Sequence, residues 1–326
     1  MNKRIQQLAL TSPGLLLLAC VSAVSAQPAL LDSNYVVPRT EYGQPDLQGI
    51  WSNAVVTPLE RPAELGDKAF LDEEEAEAYE QARLASTNRD QRTDNAEADI
   101  LNAYNDFWWD SGTNVVATRR TSLIIDPPDG RIPRRSAEAQ ARLAAATFRG
   151  NASHEETGLS TRCIHWSIVG PPMLPGSYNN NYQIVQTEDH ILLVTEMGHN
   201  TRIIPLDNSN PPPGVRQWLG VSRGHWDGDT LVVETDSFSN QTTFQGSGEN
   251  MQLTERFTRV AEEILLYEFT VNDPESFASP WSAQIPSTRV DDLMYEYACH
   301  EGNRGLLGVL TGARLSEAKE AAGEEQ

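Results

Sequence analysis

The chain has 326 residues, and its 46 acidic residues outnumber its 25 lysines and arginines, which gives a formal net charge of −21 at pH 7. Such an excess of negative charge repels phosphate backbones and anionic lipid surfaces, so the composition argues against a nucleic acid as a partner. The length is sufficient for one large domain with an ample hydrophobic core, or for two small domains.

Residues 1–26 have the pattern of a secretory signal peptide. Two basic residues precede an apolar stretch, and Val-Ser-Ala at 24–26 forms a cleavage site before Gln27. The apolar stretch is too short for a retained transmembrane helix, so we expect no membrane insertion. Cleavage would remove two positive charges and change the net charge from −21 to −23. We predict a periplasmic or secreted protein; the alternative is an outer-membrane lipoprotein, because the residues before Cys20 resemble a lipobox.

The region from 27 to 160 is expected to form helices and loops at the periphery of the fold. A first strand at 47–53 carries Trp51, and its Gly-x-Trp sequence resembles the first strand of lipocalin-type barrels. Asp72 and Glu75 form a capping box that starts a helix through residue 86. Aromatic residues are concentrated at 104–109, where they form either the wall of a pocket or part of the hydrophobic core. A strand that ends in a Pro-Asp-Gly turn and a second helix at 136–148 follow.

Cys163 and Cys299 are the two cysteines that remain after signal cleavage. An even pair in an oxidising compartment predicts a disulfide. The alternatives are two buried thiols or metal ligands, although no Cys-x-x-Cys spacing supports a metal. Close to the first cysteine, Tyr178 and Asn180 lie in a run that includes three adjacent asparagines. These amides suit either ligand binding or an ordinary polar loop.

The stretch from 182 to 300 organises the chain, because short runs of nearly alternating polarity follow one another with turn residues between them. Asp227 and Gly228 give the strongest hairpin signal. We predict a mainly β protein, an antiparallel meander closed as a lipocalin-like barrel, with a sandwich as the alternative and a few peripheral helices. The barrel core is placed at 161–326, within a single domain over 27–326. The predicted strands lie at 182–187, 190–197, 201–206, 220–226, 229–235, 254–260, 264–271 and 293–299. Asn303 then caps a C-terminal helix.

Charged residues share faces with apolar ones in several of these strands. Glu234 alternates with Val232, and Arg259 with Phe257. A core has no use for unpaired charges, so these residues form a paired network, line a polar cavity, or lie on the outer face. The sequence does not show which face of the sheet points inward, since some strands are apolar on both faces.

Glu196, His199 and Arg202 lie within seven positions where one predicted strand bends into the next, and therefore at one rim of the sheet. Histidine exchanges protons near neutral pH, and a carboxylate beside it would orient the ring, so a general acid–base site is predicted. The alternative is that His199 and His300 only cap loops. The predicted catalytic set is Glu196, His199, Arg202, Glu268 and His300, and the predicted substrate-binding set is Tyr178, Asn180, Trp226, Glu301 and Asn303.

Other chemistries find little support in the sequence. The histidines lack the spacing of metal ligands, so we expect no metal site. There is no Gly-x-Ser-x-Gly elbow and no phosphate-cradling glycine motif, so neither a serine nucleophile nor an organic cofactor is expected.

Several segments together resemble a family of secreted bacterial proteins. They are PDLQGIW, CIHWSIVGPP, YNNNYQIVQ, EMGHNTRIIPLD, RQWLGVSRGHWDGDTLVVET, ERFTRV with LLYEFTV, and YACHEGN. The resemblance covers most of the mature chain and implies secretion and a shared architecture, but no reaction. The sequence thus supports an acid–base lyase, isomerase or hydrolase acting on a small molecule, with a lipocalin-like carrier as the alternative and an envelope structural protein as a third.

Overall fold

The computed structural model describes residues 35–87, 109–147, 153–207 and 214–323. The signal peptide, the lipid-anchor candidate Cys20, the N-terminus at Gln27 and most of the aromatic run at 104–109 lie outside these residues. Three helices are described, α1 at Glu73–Thr87, α2 at Ala137–Thr147 and α3 at Arg304–Ala322. No described helix combines the length and the apolar character that crossing a bilayer requires.

Ten strands form one antiparallel sheet in the order β5-β4-β3-β1-β10-β9-β8-β7-β6, with β2 paired to β10. The prediction of a mainly β, antiparallel fold is therefore confirmed. Their bounds are β1 Gly49–Ser52, β2 Ile124–Asp126, β3 Asn181–Gln186, β4 His190–Thr195, β5 Thr201–Pro205, β6 Val221–Asp227, β7 Thr230–Asp236, β8 Gln252–Ala261, β9 Ile264–Asn272 and β10 Trp281–Val290.

The sheet is not closed into a barrel, so the predicted closed barrel is wrong. Among the described strands, the backbone pairing ends at β5 on one side and at β6 on the other. The two end strands nevertheless lie side by side and pack through side chains, since a Cβ at Gly224 of β6 would lie 3.0 Å from Ile204 Cγ2 of β5. We call this contact between β5 and β6 the seam. The fold is thus an open sheet that curls until its two ends meet.

The last predicted strand, at 293–299, is also wrong. Those residues are irregular and mostly exposed, and the strand is β10 instead, which contains Pro286. The N–H of Gln284 points away from β9 and donates to Leu123 O at 2.9 Å. Pro286 lies two residues after Gln284, so its backbone nitrogen also points away from β9. It lies between the residues of β10 that pair with β2 and those that pair with β1. Its missing N–H therefore removes no bond from the β9–β10 ladder.

Large side chains fill the space on the inner face of the sheet, so they do not line an open cavity. The largest fully buried residues include Trp51, Trp281, Tyr182, Tyr267, Phe257 and Phe269. The aromatic rings contact one another, with the Phe257 and Tyr267 centroids 4.9 Å apart. A packed aromatic interior leaves the rims and the outer surface as the places where a ligand can bind.

The helices begin as the sequence predicts. Asp72 and Glu75 cap α1 reciprocally, each accepting from the other's backbone N–H at 2.9 Å. The side chain of Asn303 accepts from the Leu306 N–H at 3.2 Å and caps α3. None of the residues of α3 is buried, so this helix projects from the body of the protein.

Candidate functional site

Arg202 does not line the rim; it lies in the core, 5% exposed. It forms a bidentate ion pair with Glu255, with Nη1–Oε1 and Nη2–Oε2 distances of 3.0 and 2.5 Å. Ser222 and Thr235 accept further hydrogen bonds from Nη2, and the Tyr267 hydroxyl donates to Glu255 Oε1 at 2.8 Å. Burial and the neighbouring Glu255 carboxylate raise the pKa of Tyr267 well above its ordinary value. The two charges are paired with each other, so this network holds the interior of the sheet together.

Two other predicted site residues lie away from the rim where β4 meets β5. Glu268 lies on the outer face of β9, where its carboxylate accepts from Gln284 Nε2 at 3.0 Å. Trp226 lies near the end of β6, half-buried against the core. Glu234 is also exposed, so it lies on the outer face. Glu255, which the sequence did not single out, is fully buried in the core.

Asn180 and Asn303 have structural partners for their amides. Asn180 accepts from the Gly176 N–H at 2.6 Å and donates to the carbonyls of Gly176 and Asp110. Asn303 donates to Thr161 O at 2.9 Å in addition to capping α3. Both therefore fix loops rather than offer free groups to a ligand.

The cysteine pair forms the predicted disulfide and connects the C-terminal segment to the rim. Cys163 and Cys299 are bonded, with Cα atoms 5.8 Å apart. Asn303 Nδ2 lies 3.4 Å from Cys163 Sγ and adds a second connection. His300 and Glu301 follow directly and are exposed, and their side chains have no hydrogen-bond or ion-pair partner among the described residues. The C-terminal segment thereby passes beside the turn between β4 and β5.

Glu196 begins that turn and is the most unusual residue at the rim. It is 8% exposed, and its Oε2 atom is buried without a hydrogen-bond partner among the described residues. Asn200, four residues further along the chain, has a buried Nδ2 atom that also lacks a hydrogen-bond partner among the described residues. A buried carboxylate oxygen normally has a donor, because leaving one unpaired costs several kcal/mol, so Oε2 is a position where a ligand or a water can donate.

His199 follows Gly198, and both have positive φ angles, 55° and 73°. A non-glycine residue in this region is strained, and such strain gathers at binding and catalytic sites. The backbone N–H of Tyr297 donates to His199 Nδ1 at 3.2 Å. In the neutral ring the proton is therefore on Nε2, so the exposed imidazole presents a donor.

Aromatic side chains surround this turn. The ring of Trp166 covers Gly198, where a Cβ would lie only 2.4 Å from Cζ3. The centroids of Trp166 and Tyr297 are 5.6 Å apart at an interplanar angle of 79°. Tyr178 hydrogen-bonds Tyr297, and burial together with that neighbour raises its pKa. We define the turn site as Glu196, His199, Trp166, Tyr178 and Tyr297.

The turn site is only partly the predicted one. It contains Glu196, His199 and Tyr178 from the predicted set. It leaves out the other predicted residues, which are Arg202, Glu268, His300, Asn180, Trp226, Glu301 and Asn303. The sequence did not point to Tyr297, because apolar and polar residues alternate in its segment as they do in a strand. That pattern predicted a strand paired within the sheet and not a loop that contacts the rim. Within the described residues, no group of three or more His, Cys, Asp or Glu side chains is placed to hold a metal ion.

His165 precedes Trp166 and is 8% exposed, with a buried Nδ1 that has no partner in the described chain. Burial lowers its pKa from 6.5 to about 4. The unfolded chain takes up this proton below about pH 6.5 while the folded chain does not, so stability falls as the pH drops through this window.

We expect the unfolding free energy of the wild-type protein to fall by about 2 kcal/mol from this residue alone between about pH 7.5 and 5. A His165→Gln variant should lose that part of the pH dependence. Urea unfolding of both proteins across this range measures the difference between the two curves. Parallel curves would show that His165 is protonated in the folded state.

Comparison with known proteins gives no family for the chain, since no family model, no curated protein and no solved structure matches it.

Proposed function

We propose that the protein is an acid–base enzyme that binds a small organic molecule at the turn site and moves a proton with Glu196. The observation that carries the proposal is the buried Glu196 Oε2, which has no hydrogen-bond partner among the described residues. No described donor uses its lone pairs, so they can accept a proton from a substrate. The Glu255 carboxylate in the core is paired with Arg202 instead.

His199 supplies the complementary group. With Nδ1 occupied by the Tyr297 N–H, the imidazole offers its Nε2 proton to a substrate oxygen on which negative charge develops. The Tyr178 hydroxyl, whose pKa is raised by burial and by its hydrogen bond to Tyr297, holds Tyr297 beside the turn. Removal of a proton by a carboxylate, with hydrogen bonds to the resulting oxyanion, is the chemistry of lyases and isomerases.

The aromatic side chains favour a flat substrate. Trp166 and Tyr297 present ring faces and edges beside the turn, and such surfaces stack on planar molecules. The substrate class proposed is therefore a small aromatic or otherwise planar molecule with an acidic proton. The packed interior of the sheet supports a site at the rim over a carrier that encloses its ligand, as a lipocalin does.

Location outside the cytoplasm is part of the proposal. It rests on the signal-like residues 1–26 and is supported by the Cys163–Cys299 disulfide, because disulfides persist in oxidising compartments.

A nitrobenzisoxazole tests the proposed base without knowledge of the natural substrate. A base removes the ring C–H proton of this compound, the N–O bond breaks, and a coloured cyanophenolate forms. We expect Glu196→Gln to lower kcat/KM by at least about tenfold, because it keeps the shape of the side chain and removes the proton acceptor.

Glu268→Gln is the matched control, since it neutralises a carboxylate on the outer face of β9, and we expect its rate to equal that of the wild type. Equal rates for wild type and Glu196→Gln would refute the proposal. Saturable binding of the compound with no Glu196-dependent turnover would favour the carrier.

A further inference from the structure

A separate cleft lies beside the C-terminal end of α1. Its volume is about 370 Å³, and it lies between this helix, the segment that follows β1, and the loop at 168–177. We call it the α1 cleft. It shares no lining residue with the turn site as defined above, although Trp109 on its wall contacts Tyr178, with ring centroids 6.3 Å apart.

The walls of the α1 cleft are apolar and firmly held. Val55, Leu59 and Leu174 line it and also pack against the main core of the sheet, so they cannot easily move to fill it. Ile168 and Pro175 add further apolar surface. A cleft of this size lies within the range of small-molecule sites. Apolar walls with a few polar groups are typical of small-molecule sites.

Arg83 supplies the charge at the α1 cleft. It is exposed on α1 and lines the cleft, yet it forms no ion pair with any residue that the structure describes. Acidic residues are abundant in this chain, and several other arginines are paired with them. These arginines are Arg39, Arg216, Arg223, Arg256 and Arg314. A guanidinium that pairs with no described carboxylate, beside apolar walls, is complementary to a carboxylate attached to an apolar body.

We propose that the α1 cleft binds a small organic carboxylate with a flat, apolar body. The carboxylate pairs with the Arg83 guanidinium, and the ring lies against Leu59, Leu174 and Trp109. The hydroxyls of Ser111 and Ser177 lie in the lining and add hydrogen-bonding groups. This binding does not depend on proton transfer at Glu196.

Isothermal titration with naphthoate tests the proposal, with the neutral naphthamide as the matched ligand. We expect the wild-type protein to bind naphthoate about tenfold more tightly than naphthamide, because only the acid forms a charge-assisted pair. Arg83→Gln should weaken naphthoate binding about tenfold and leave naphthamide binding unchanged. Glutamine is a good helix former, so this variant keeps α1.

Arg134→Gln is the control for net charge, since Arg134 is exposed and has no ion pair among the described residues; we expect it to bind naphthoate as the wild type does. Ser111→Phe places a ring in the cleft and should abolish binding of both ligands. Unchanged naphthoate affinity in Arg83→Gln or in Ser111→Phe would overturn the proposal. No binding of naphthoate to the wild type, or equal affinity for acid and amide, would overturn it too.

Discussion

Replacing Arg202 with methionine is expected to lower the free energy of unfolding by about 3–5 kcal/mol. The change leaves the Glu255 carboxylate in the core, where it is 0% exposed and where the Tyr267 hydroxyl is the one donor that remains among the described residues. A buried charge without its counter-ion is far less stable than the same charge in water. Chemical denaturation of the variant and the wild-type protein at neutral pH measures the loss.

Two further variants distinguish the loss of pairing from the loss of packing. Arg256→Met removes a neighbouring, exposed arginine, whose ion pair with Asp227 at 3.0 Å lies in solvent, and it should cost less than about 1 kcal/mol. The double variant Arg202→Met with Glu255→Leu should regain most of the stability, since neither charge remains. A double variant that is as unstable as Arg202→Met would mean that packing, and not the unpaired charge, causes the loss.

Removal of the disulfide is the second large effect. The double variant Cys163→Ser with Cys299→Ser should lower the unfolding free energy by about 3–5 kcal/mol, because the cross-link restricts a long loop in the unfolded chain. The two cysteines are 136 positions apart in sequence. The measurement is the urea midpoint of the variant and of the wild-type protein, with and without reductant.

Reductant should shift the midpoint of the wild-type protein to that of the double variant and leave the variant unchanged. Serine in place of both cysteines avoids a single free thiol, which could cross-link two molecules. If the oxidised and reduced proteins unfold at the same urea concentration, the bond does not restrict the unfolded chain as expected.

Local sequence signals predicted much of the fold. The Asp-Gly pair at 227–228 joins β6 and β7, and the capping residues Asp72 and Asn303 begin α1 and α3. These signals depend on residues close together in sequence, so they can be recognised without the tertiary structure. The even cysteine count predicted the disulfide in the same way.

Pairing between distant strands could not be derived in that manner. Pro286 is compatible with β10 only because one edge of that strand has no partner at this position, and the sequence does not show which edge is free. Likewise, Arg202 and Glu255 meet only because the sheet curls, which brings β5 beside β6 and within reach of β8.

The candidate site shows the same division. Glu196 and His199 belong to one turn, because they are close together in sequence. His300 was assigned to the same rim on the condition that 293–299 is a strand that ends there, but that segment is irregular. Arg202 was assigned to the rim because it is near the bend in sequence, and the strand pattern did not show that its side chain faces the core.

The seam has a consequence for how this protein behaves at high concentration. A sheet with two end strands ordinarily exposes two rows of unused backbone donors and acceptors, on which a strand of another molecule can add and start a fibre. Here β5 and β6 lie next to each other, and the Arg202 side chain reaches across to Ser222 at 3.0 Å. Each end strand therefore shields the other from an incoming chain, so the open sheet resists aggregation without the hydrogen bonds that would close it.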